Sequence, residues 1–473
     1  MKSCHLFLSV PLAIILAGCQ PTSSRDEFDR RSEGATRHSL FAEPTIADRP
    51  DARAVQQASQ RHITGIGNKA AAAETKDWPV LFGPNRDSFI ESTINPVWSD
   101  LGPKLVWQVD VGTGYGSPVA AGGKVIFSDR LDDFERVHCY RIDDGKLLWQ
   151  HRYAATAVCN FEYSDGPYST PIIDVANQRV FQVGGSGQMM CLDFDTGAVV
   201  WQRDLHSDYG VAADIFPVGA SPVLDDKCGI PGGQLMFNLG GVDQNASVIA
   251  LEGRSGETRW QCLDHAPSYA SPFVTRIDGQ RYAFVLTGEG LASIDPDQGT
   301  ADWHIPFRRR GDLTRNATSP MVVDNHVIAC ASGVGGLCVD VLPDRSFKQR
   351  WRQRRTLDSQ YNTVISYDDH LFSFTSSGQG GAELRCVSVD TGEIVWRYPS
   401  VLRRGMGFAT PLGMILLGER GHLAALETST KSPNVISFTT EPLMTSPCYC
   451  SPAPHRGFLV LKDEQRVAVF DLR

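Results

Sequence analysis

CLDFDTGAVVW, residues 191–201, decides how the chain is read, because the same phrase returns along it. It recurs as CYRIDDGKLLW at 139–149, ALEGRSGETRW at 250–260, SIDPDQGTADW at 293–303 and CVSVDTGEIVW at 386–396, with a degenerate copy ending at Trp351. In each, a short strand runs into a turn built on an acidic residue and a Gly, and the next strand ends in Trp. The pattern specifies a β-hairpin in which Gly takes positive φ and the carboxylate accepts from the turn backbone.

A second signal alternates with the first. A Ser or Thr, usually followed by Pro, opens a β-branched run at Ser117-Pro118, Thr170-Pro171, Ser221-Pro222, Ser271-Pro272, Ser319-Pro320, Asn362-Thr363, Thr410-Pro411 and Ser446-Pro447. The interval of about 45–50 residues, with four short strands inside it, is the size of one propeller blade. Eight openings imply an all-β fold, an eight-bladed β-propeller of four-stranded antiparallel blades. One blade cannot bury both faces alone, so Trp149, Trp201, Trp260, Trp303, Trp351 and Trp396 are expected to fill the wedges between blades. The last repeat, from Ser446, has no turn-plus-Trp strand, and Ile436 stands where blade 7 should have a Trp. The missing strand is expected to be Lys104 to Val109, whose Trp107 precedes the first repeat, so that an N-terminal strand joins the C-terminal blade.

The N-terminus reads as an export signal. Lys2 precedes an apolar run from Leu6 to Ala17 that is too short to span a bilayer as a helix. Leu16-Ala17-Gly18-Cys19 resembles the lipobox of bacterial lipoproteins, which implies cleavage before Cys19 and lipidation of its thiol. The domain reading is therefore a signal peptide and lipobox over 1–19, a flexible polar tether over 20–77, and the propeller over 78–473. The tether is poor in aromatic and β-branched residues and cannot bury enough apolar surface to offset its ordering entropy. The net charge of −9 bears on solubility alone. Of the 12 Cys, Cys139, Cys191 and Cys386 fall at one repeat position in different blades, too far apart to bridge. Cys448 and Cys450 are expected on one face of a strand, and no CxxC occurs.

The Asp-x-x-Thr-Gly-x-x-x-Trp element resembles the tryptophan-docking motif of quinoprotein dehydrogenases, and the same repeat occurs in non-enzymatic propellers such as the outer-membrane protein assembly lipoprotein. Trp78-Pro79, Phe82-Gly83-Pro84-Asn85-Arg86-Asp87, Gly102 to Trp107 and Gly116-Ser117-Pro118 are similar to the opening of pyrroloquinoline-quinone-like propeller proteins abundant in planctomycetes. The dehydrogenase resemblance implies a quinone clamped between a Trp and a disulfide of adjacent cysteines, with calcium and an Asp base. This chain has no adjacent Cys pair and lacks the large insertions that cover such active sites.

No Walker loop, His-Glu-x-x-His, Gly-x-Ser-x-Gly elbow or dinucleotide fingerprint is present. Gly184 to Gly187 and Asp295-x-Asp297-x-Gly299 read as turns of the repeat. No catalytic residue, metal ligand or cofactor is assigned. What remains is a loop face. The longest blade-to-blade joins, Gln150 to Ser169 and Gln202 to Ala220, carry Phe161, Tyr163, Asp165, Asp208 and Tyr209. Joins after Trp303, Trp351 and Trp396 are Arg-rich, with Arg308, Arg309, Arg310, Arg315, Arg354, Arg355, Arg403 and Arg404. If all joins open on one face, that face is acidic on one half and basic on the other, and Arg suits bidentate capture of carboxylates or phosphates. Tyr115, Tyr168, Tyr269 and Tyr361, near the inner-strand openings, complete the candidate binding set. The expected function is a non-catalytic, monomeric scaffold held at the cell envelope by a lipid, on the periplasmic side of the outer membrane. It would bind a protein or an anionic envelope component and not nucleic acid. The alternative is a quinone-dependent oxidoreductase, or a propeller holding a quinone or other anion without turnover.

Overall fold

The computed structural model describes residues 77–473, except 93, 160, 162, 213–216, 310–315 and 376–380. Among these, thirty-two strands form eight separate four-stranded antiparallel sheets. Blades 1 to 7 cover residues 119–154, 172–204, 223–262, 273–306, 321–353, 365–399 and 405–438. Blade 8 takes three strands from residues 453–471 and its outer strand, Lys104–Asp110, from the other end of the chain. Trp107 pairs with Val469 and Leu105 with Phe470, which closes the ring where the sequence placed the closure.

Two openings differ from the sequence reading. Thr410-Pro411 lies at the turn between Gly405–Thr410 and Gly413–Gly418, so blade 7 opens at Met406 instead. Blade 8 opens at Ser451-Pro452, ahead of Ala453–His455, and not at Ser446-Pro447. Ser-Pro alone is an ambiguous signal, because Pro suits a turn as well as a strand start. Cys448 and Cys450 consequently lie in the join before that strand, buried, and not on a strand.

The repeat turns behave as their residues dictate. Asp193 Oδ1 accepts from Asp195 N and Thr196 N at 3.1 and 3.0 Å, and Gly197 has φ +72°. Each Gly of this kind faces a Trp of the preceding blade: a Cβ on Gly197 would sit 2.5 Å from Trp149, and on Gly299 2.5 Å from Trp260. The indole N–H donates into the same neighbour, Trp149 to Phe194 O at 3.0 Å and Trp260 to Pro296 O at 2.9 Å, for example. Trp303 departs from this, because the next blade turns through Asp344-Arg345-Ser346 without Gly. Its indole N–H has no partner among the described residues, and its ring packs on Phe347 at 4.8 Å. Ile436, in the Trp position of blade 7, shares a core cluster with Trp98, whose backbone N donates to Ser437 Oγ.

Gly123 and Gly197 separate backbone strain from ring contact. Both have positive φ, but a Cβ on Gly123 meets nothing within 4 Å. Gly123→Ala should lose about 1 kcal/mol, the left-handed penalty alone. Gly197→Ala should lose about 1–3 kcal/mol more, because it also overpacks Trp149. Equal losses in denaturant titrations would show that the Gly–Trp contact is dispensable.

The segment before the first blade crosses one end of the ring. Trp78 exchanges backbone hydrogen bonds with Ala120 of blade 1, Pro79 O accepts from Ile173 N of blade 2, and Arg86 donates to Leu224 O of blade 3 at 2.6 Å. Ile90 N then donates to Ala409 O of blade 7 and Asn95 N to Leu472 O beside blade 8. Phe82 and Leu81 lie between these anchors and form an apolar stopper across the axis. Asp77, assigned to the tether by sequence, already touches the propeller through His455 at 3.1 Å.

Candidate functional site: a tyrosine-ringed cavity on the propeller axis

The inner strands start with a relay of hydrogen bonds that runs around the axis from blade 8 through blade 1 to blade 6. Ser451 N donates to Ser117 Oγ at 2.8 Å, Ser117 N to Thr170 Oγ1 at 3.0 Å, and Thr170 N to Ser221 Oγ at 2.9 Å. The relay continues from Ser221 N to Ser271 Oγ at 2.9 Å, Ser271 N to Ser319 Oγ at 3.0 Å and Ser319 N to Thr363 Oγ1 at 3.4 Å. The repeated hydroxyl is thus a blade-to-blade linker around the axis, which is why Ser or Thr recurs there. Blade 7 interrupts it, since Met406 holds the equivalent place.

Two residues before each linker, the chain faces the axis. That position holds Tyr115, Tyr168, Gly219, Tyr269, Ala317, Tyr361, Arg404 and Tyr449 in blades 1 to 8, and all eight line one cavity of about 370 Å³. Leu81 and Phe82 also line it, as do Tyr163, Arg308 and Arg309. The rings form a nearly continuous arc: Tyr115 lies 4.8 Å from Tyr168 and 5.1 Å from Tyr449, and Tyr361 lies 4.8 Å from Tyr449. Arg404 stacks over Tyr361 at 5.0 Å. Gly219 leaves room for the next blade, because a Cβ there would stand 2.4 Å from the Tyr269 ring.

Burial pushes the phenols of Tyr115, Tyr168 and Tyr361 above the ordinary tyrosine value, and that of Tyr449 up to about 12. They are neutral hydrogen-bond donors at physiological pH. Burial works against the Arg404 charge, but its two-pronged hydrogen bond to Glu419, 2.8 Å on each prong, raises its pKa above the ordinary value. The same pairing holds the Glu419 carboxyl below the usual range despite burial.

The structure sorts the candidate residues into groups. Tyr115, Tyr168, Tyr269, Tyr361, Arg308, Arg309 and Arg404 come together at the cavity. Arg354 and Arg355 are exposed in the join after blade 5 and do not line it, and neither does Arg403. Arg310 and Arg315 lie outside the described residues, as do Cys19 and the chain through residue 76. Asp208 pairs with Arg203 at 2.7 Å, and Tyr209 is buried in a core cluster with its hydroxyl on Thr258. Asp165 accepts from Cys159 N and so braces its own join. Arg308 reaches Glu289 at 3.2 Å, so with Arg404 on Glu419, two of the basic residues at the cavity are individually ion-paired. Those pairings remove the expected open cluster of unbalanced positive charge at these two positions. Tyr163, named in the join between blades 1 and 2, also lines the wall, and Tyr449, which lines it too, was absent from the candidate set. The signal for Tyr449 was in the sequence as Tyr-x-Ser/Thr, seen in YGS, YST, YAS, YNT and YCS.

The donor set does not match the quinone site that the dehydrogenase resemblance implies. Among the described residues, the cavity wall holds no Trp, no Cys pair and no Asp or Glu, and no cluster of three metal-ligating side chains occurs.

A family model described as outer membrane protein assembly factor BamB matches residues 100–167 and 164–398. The chain belongs to this family. BamB of Escherichia coli K12 is 26% identical over 152 residues, 32% of each chain, and BamB of Yersinia pestis 25% over 167 residues, 34% of this chain and 36% of that one. The match thus spans about a third of these curated relatives. Two solved structures share the fold. BamB from Moraxella catarrhalis has a TM-score of 0.53 at 15% identity, covering 79% of this chain and 98% of that one. Quinohemoprotein alcohol dehydrogenase from Comamonas testosteroni has a TM-score of 0.58 at 14% identity, covering 89% and 83%.

Proposed function

We propose that the protein is a non-catalytic scaffold of the cell envelope, anchored by a lipid on Cys19, that serves outer membrane protein assembly by holding a partner protein at its cavity-bearing face. The observation that carries this reading, beside family membership, is the join between blades 1 and 2. Val158, Phe161 and Tyr163 are 62, 43 and 48% exposed there, and Tyr163 reaches the cavity wall. Three apolar side chains kept in solvent beside a concave site are suited to bury against a partner, where aromatic residues dominate binding energy. The Leu16-to-Cys19 lipobox and the polar stretch that follows support a body tethered at the membrane surface. No helix among the described residues is long and apolar enough to cross a membrane.

A photoreactive amino acid at position 163, in cells of the source organism, should capture an outer membrane assembly protein. The same probe at Val395, exposed on an outer strand of blade 6, should not. Phe161→Ser with Val158→Ser should reduce capture at least tenfold without lowering the thermal midpoint, and Cys19→Ala should release the protein from membranes. Equal capture at positions 163 and 395 would remove the assignment of this face.

A further inference from the structure

Across the ring from the exposed apolar join, positive charge gathers where blades 4, 5 and 6 meet. The join after blade 4 brings Arg308 and Arg309 to the cavity wall. Arg352, near the end of the outer strand of blade 5, stacks over Phe307 of that join at 5.3 Å and donates to Pro306 O at 3.3 Å. Arg354 and Arg355 follow, exposed. The turn at Gly333 connects the two joins: its N donates to Asp358 Oδ1 at 2.6 Å, and a Cβ on it would stand 3.1 Å from Arg309 Cδ. The Arg355 carbonyl accepts from Arg385 of blade 6, which lies directly opposite Arg397 in the outer strand pair.

Carboxylates do not balance this corner. Glu289 is taken by Arg308, Glu383 by Arg385, and Asp358 accepts a backbone N–H. Arg352, Arg354, Arg355 and Arg397 form no ion pair among the described residues. Like charges directly opposite in a sheet destabilise it, so the fold gains nothing from Arg397 beside Arg385. An external anion would.

We propose that this corner binds an extended acidic polypeptide segment, running from the cavity mouth outward across Arg352, Arg354 and Arg355. Guanidinium groups take carboxylates in two-pronged, charge-assisted hydrogen bonds. A lipid surface also offers anions, but it is flat, and Arg308 and Arg309 stand in the wall of a cavity that a flat surface does not enter. A flexible chain reaches both the wall and the exposed join. The whole protein carries −9, so an acidic segment is held where Arg is locally in excess and repelled elsewhere. The site is separate from the apolar join between blades 1 and 2 and does not rest on it.

The test is fluorescence anisotropy of a labelled octa-glutamate peptide with the purified protein, and octa-glutamine as the neutral control. Saturable binding of octa-glutamate is expected, at least tenfold tighter than octa-glutamine and weakening as salt is raised. Arg354→Glu with Arg355→Glu should weaken it at least tenfold, and Arg309→Gln should weaken it several-fold. Arg254→Glu with Arg259→Glu, an equal charge change on exposed positions of blade 3, should leave it within about twofold. Because the substituted positions at 354 and 355 are exposed, the thermal midpoint should stay unchanged and report an intact fold. Absence of saturable binding, equal affinity for the two peptides, or equal losses in the blade 3 and blade 5 variants would overturn the proposal. Displacement of the peptide by phosphatidylglycerol vesicles but not by phosphatidylcholine vesicles would overturn it in favour of a membrane contact. None of these outcomes depends on capture of a protein at position 163.

Discussion

Removal of residues 78–109 is expected to abolish the folded propeller. The excised segment holds the outer strand of blade 8, paired along its length with Arg466–Asp471, and the stopper that ties blades 1, 2 and 3 to blade 7. It also removes Trp78, Ile90, Ile94 and Trp98 from the largest core cluster, each 7% exposed or less. Losing that apolar burial leaves a wedge-shaped gap and an unpaired edge on blade 8, a template for pairing with another chain. Size-exclusion chromatography should show aggregates that the intact chain does not form. Within the intact chain, Trp78→Ala should cost about 3–5 kcal/mol by cavity formation at the Phe408 contact. A deletion protein that eluted as the intact chain does, with the wild-type thermal midpoint, would show that the ring needs neither strand nor stopper.

Asp129→Ala should be the most damaging single polar substitution in blade 1. The fully buried carboxylate accepts from Gly112 N at 2.7 Å, from Arg136 through two nitrogens and from His138 Nε2 at 2.9 Å. Burial alone would raise its pKa. The hydrogen bonds from His138 and Arg136 outweigh burial and hold it well below the usual carboxylate range. Removing it strands a guanidinium and a backbone N–H, a loss of about 3–5 kcal/mol. The lowered pKa also fixes a pH dependence. Its contribution is complete above the unfolded-state value of about 3.9 and is lost as pH falls through the lower folded value. Urea titrations at a series of pH values should therefore show the wild type shedding this stability only on the acid side of pH 4. The variant should lack that component of the slope, and a loss under 1 kcal/mol at neutral pH would contradict the role.

The blade count, the ring closure and the turns were legible because each depends on local chemistry repeated many times. Gly at positive φ, an acidic turn residue and a Trp at a fixed offset survive in copy after copy, so noise in one copy does not hide the period. Ring closure followed from a shortage: the last repeat had too few strands, and Trp107 was left over. Reading blades 7 and 8 at Thr410 and Ser446 failed because Ser/Thr-Pro marks both turns and strand starts. The Tyr-x-Ser pair at Tyr449 and Ser451 carried the correct register.

The cavity was legible only in pieces. Tyr115, Tyr168, Tyr269 and Tyr361 stand near recognisable openings, but sequence does not say that the position two before each opening points at the axis. Nor does it say which arginines share a wall. Arg308 and Arg404 reach the cavity, whereas Arg354 and Arg355 lie in solvent outside it, and Tyr209 is consumed by the core. The sequence by itself determined an eight-bladed ring, since periodic local interactions add up along one chain. Only the tertiary structure decided what the ring encloses, because each side chain's direction and its ion partner depend on blades some 45 residues or more away. Tyr361 beside Tyr449, and Ser451 on Ser117, are contacts of that kind.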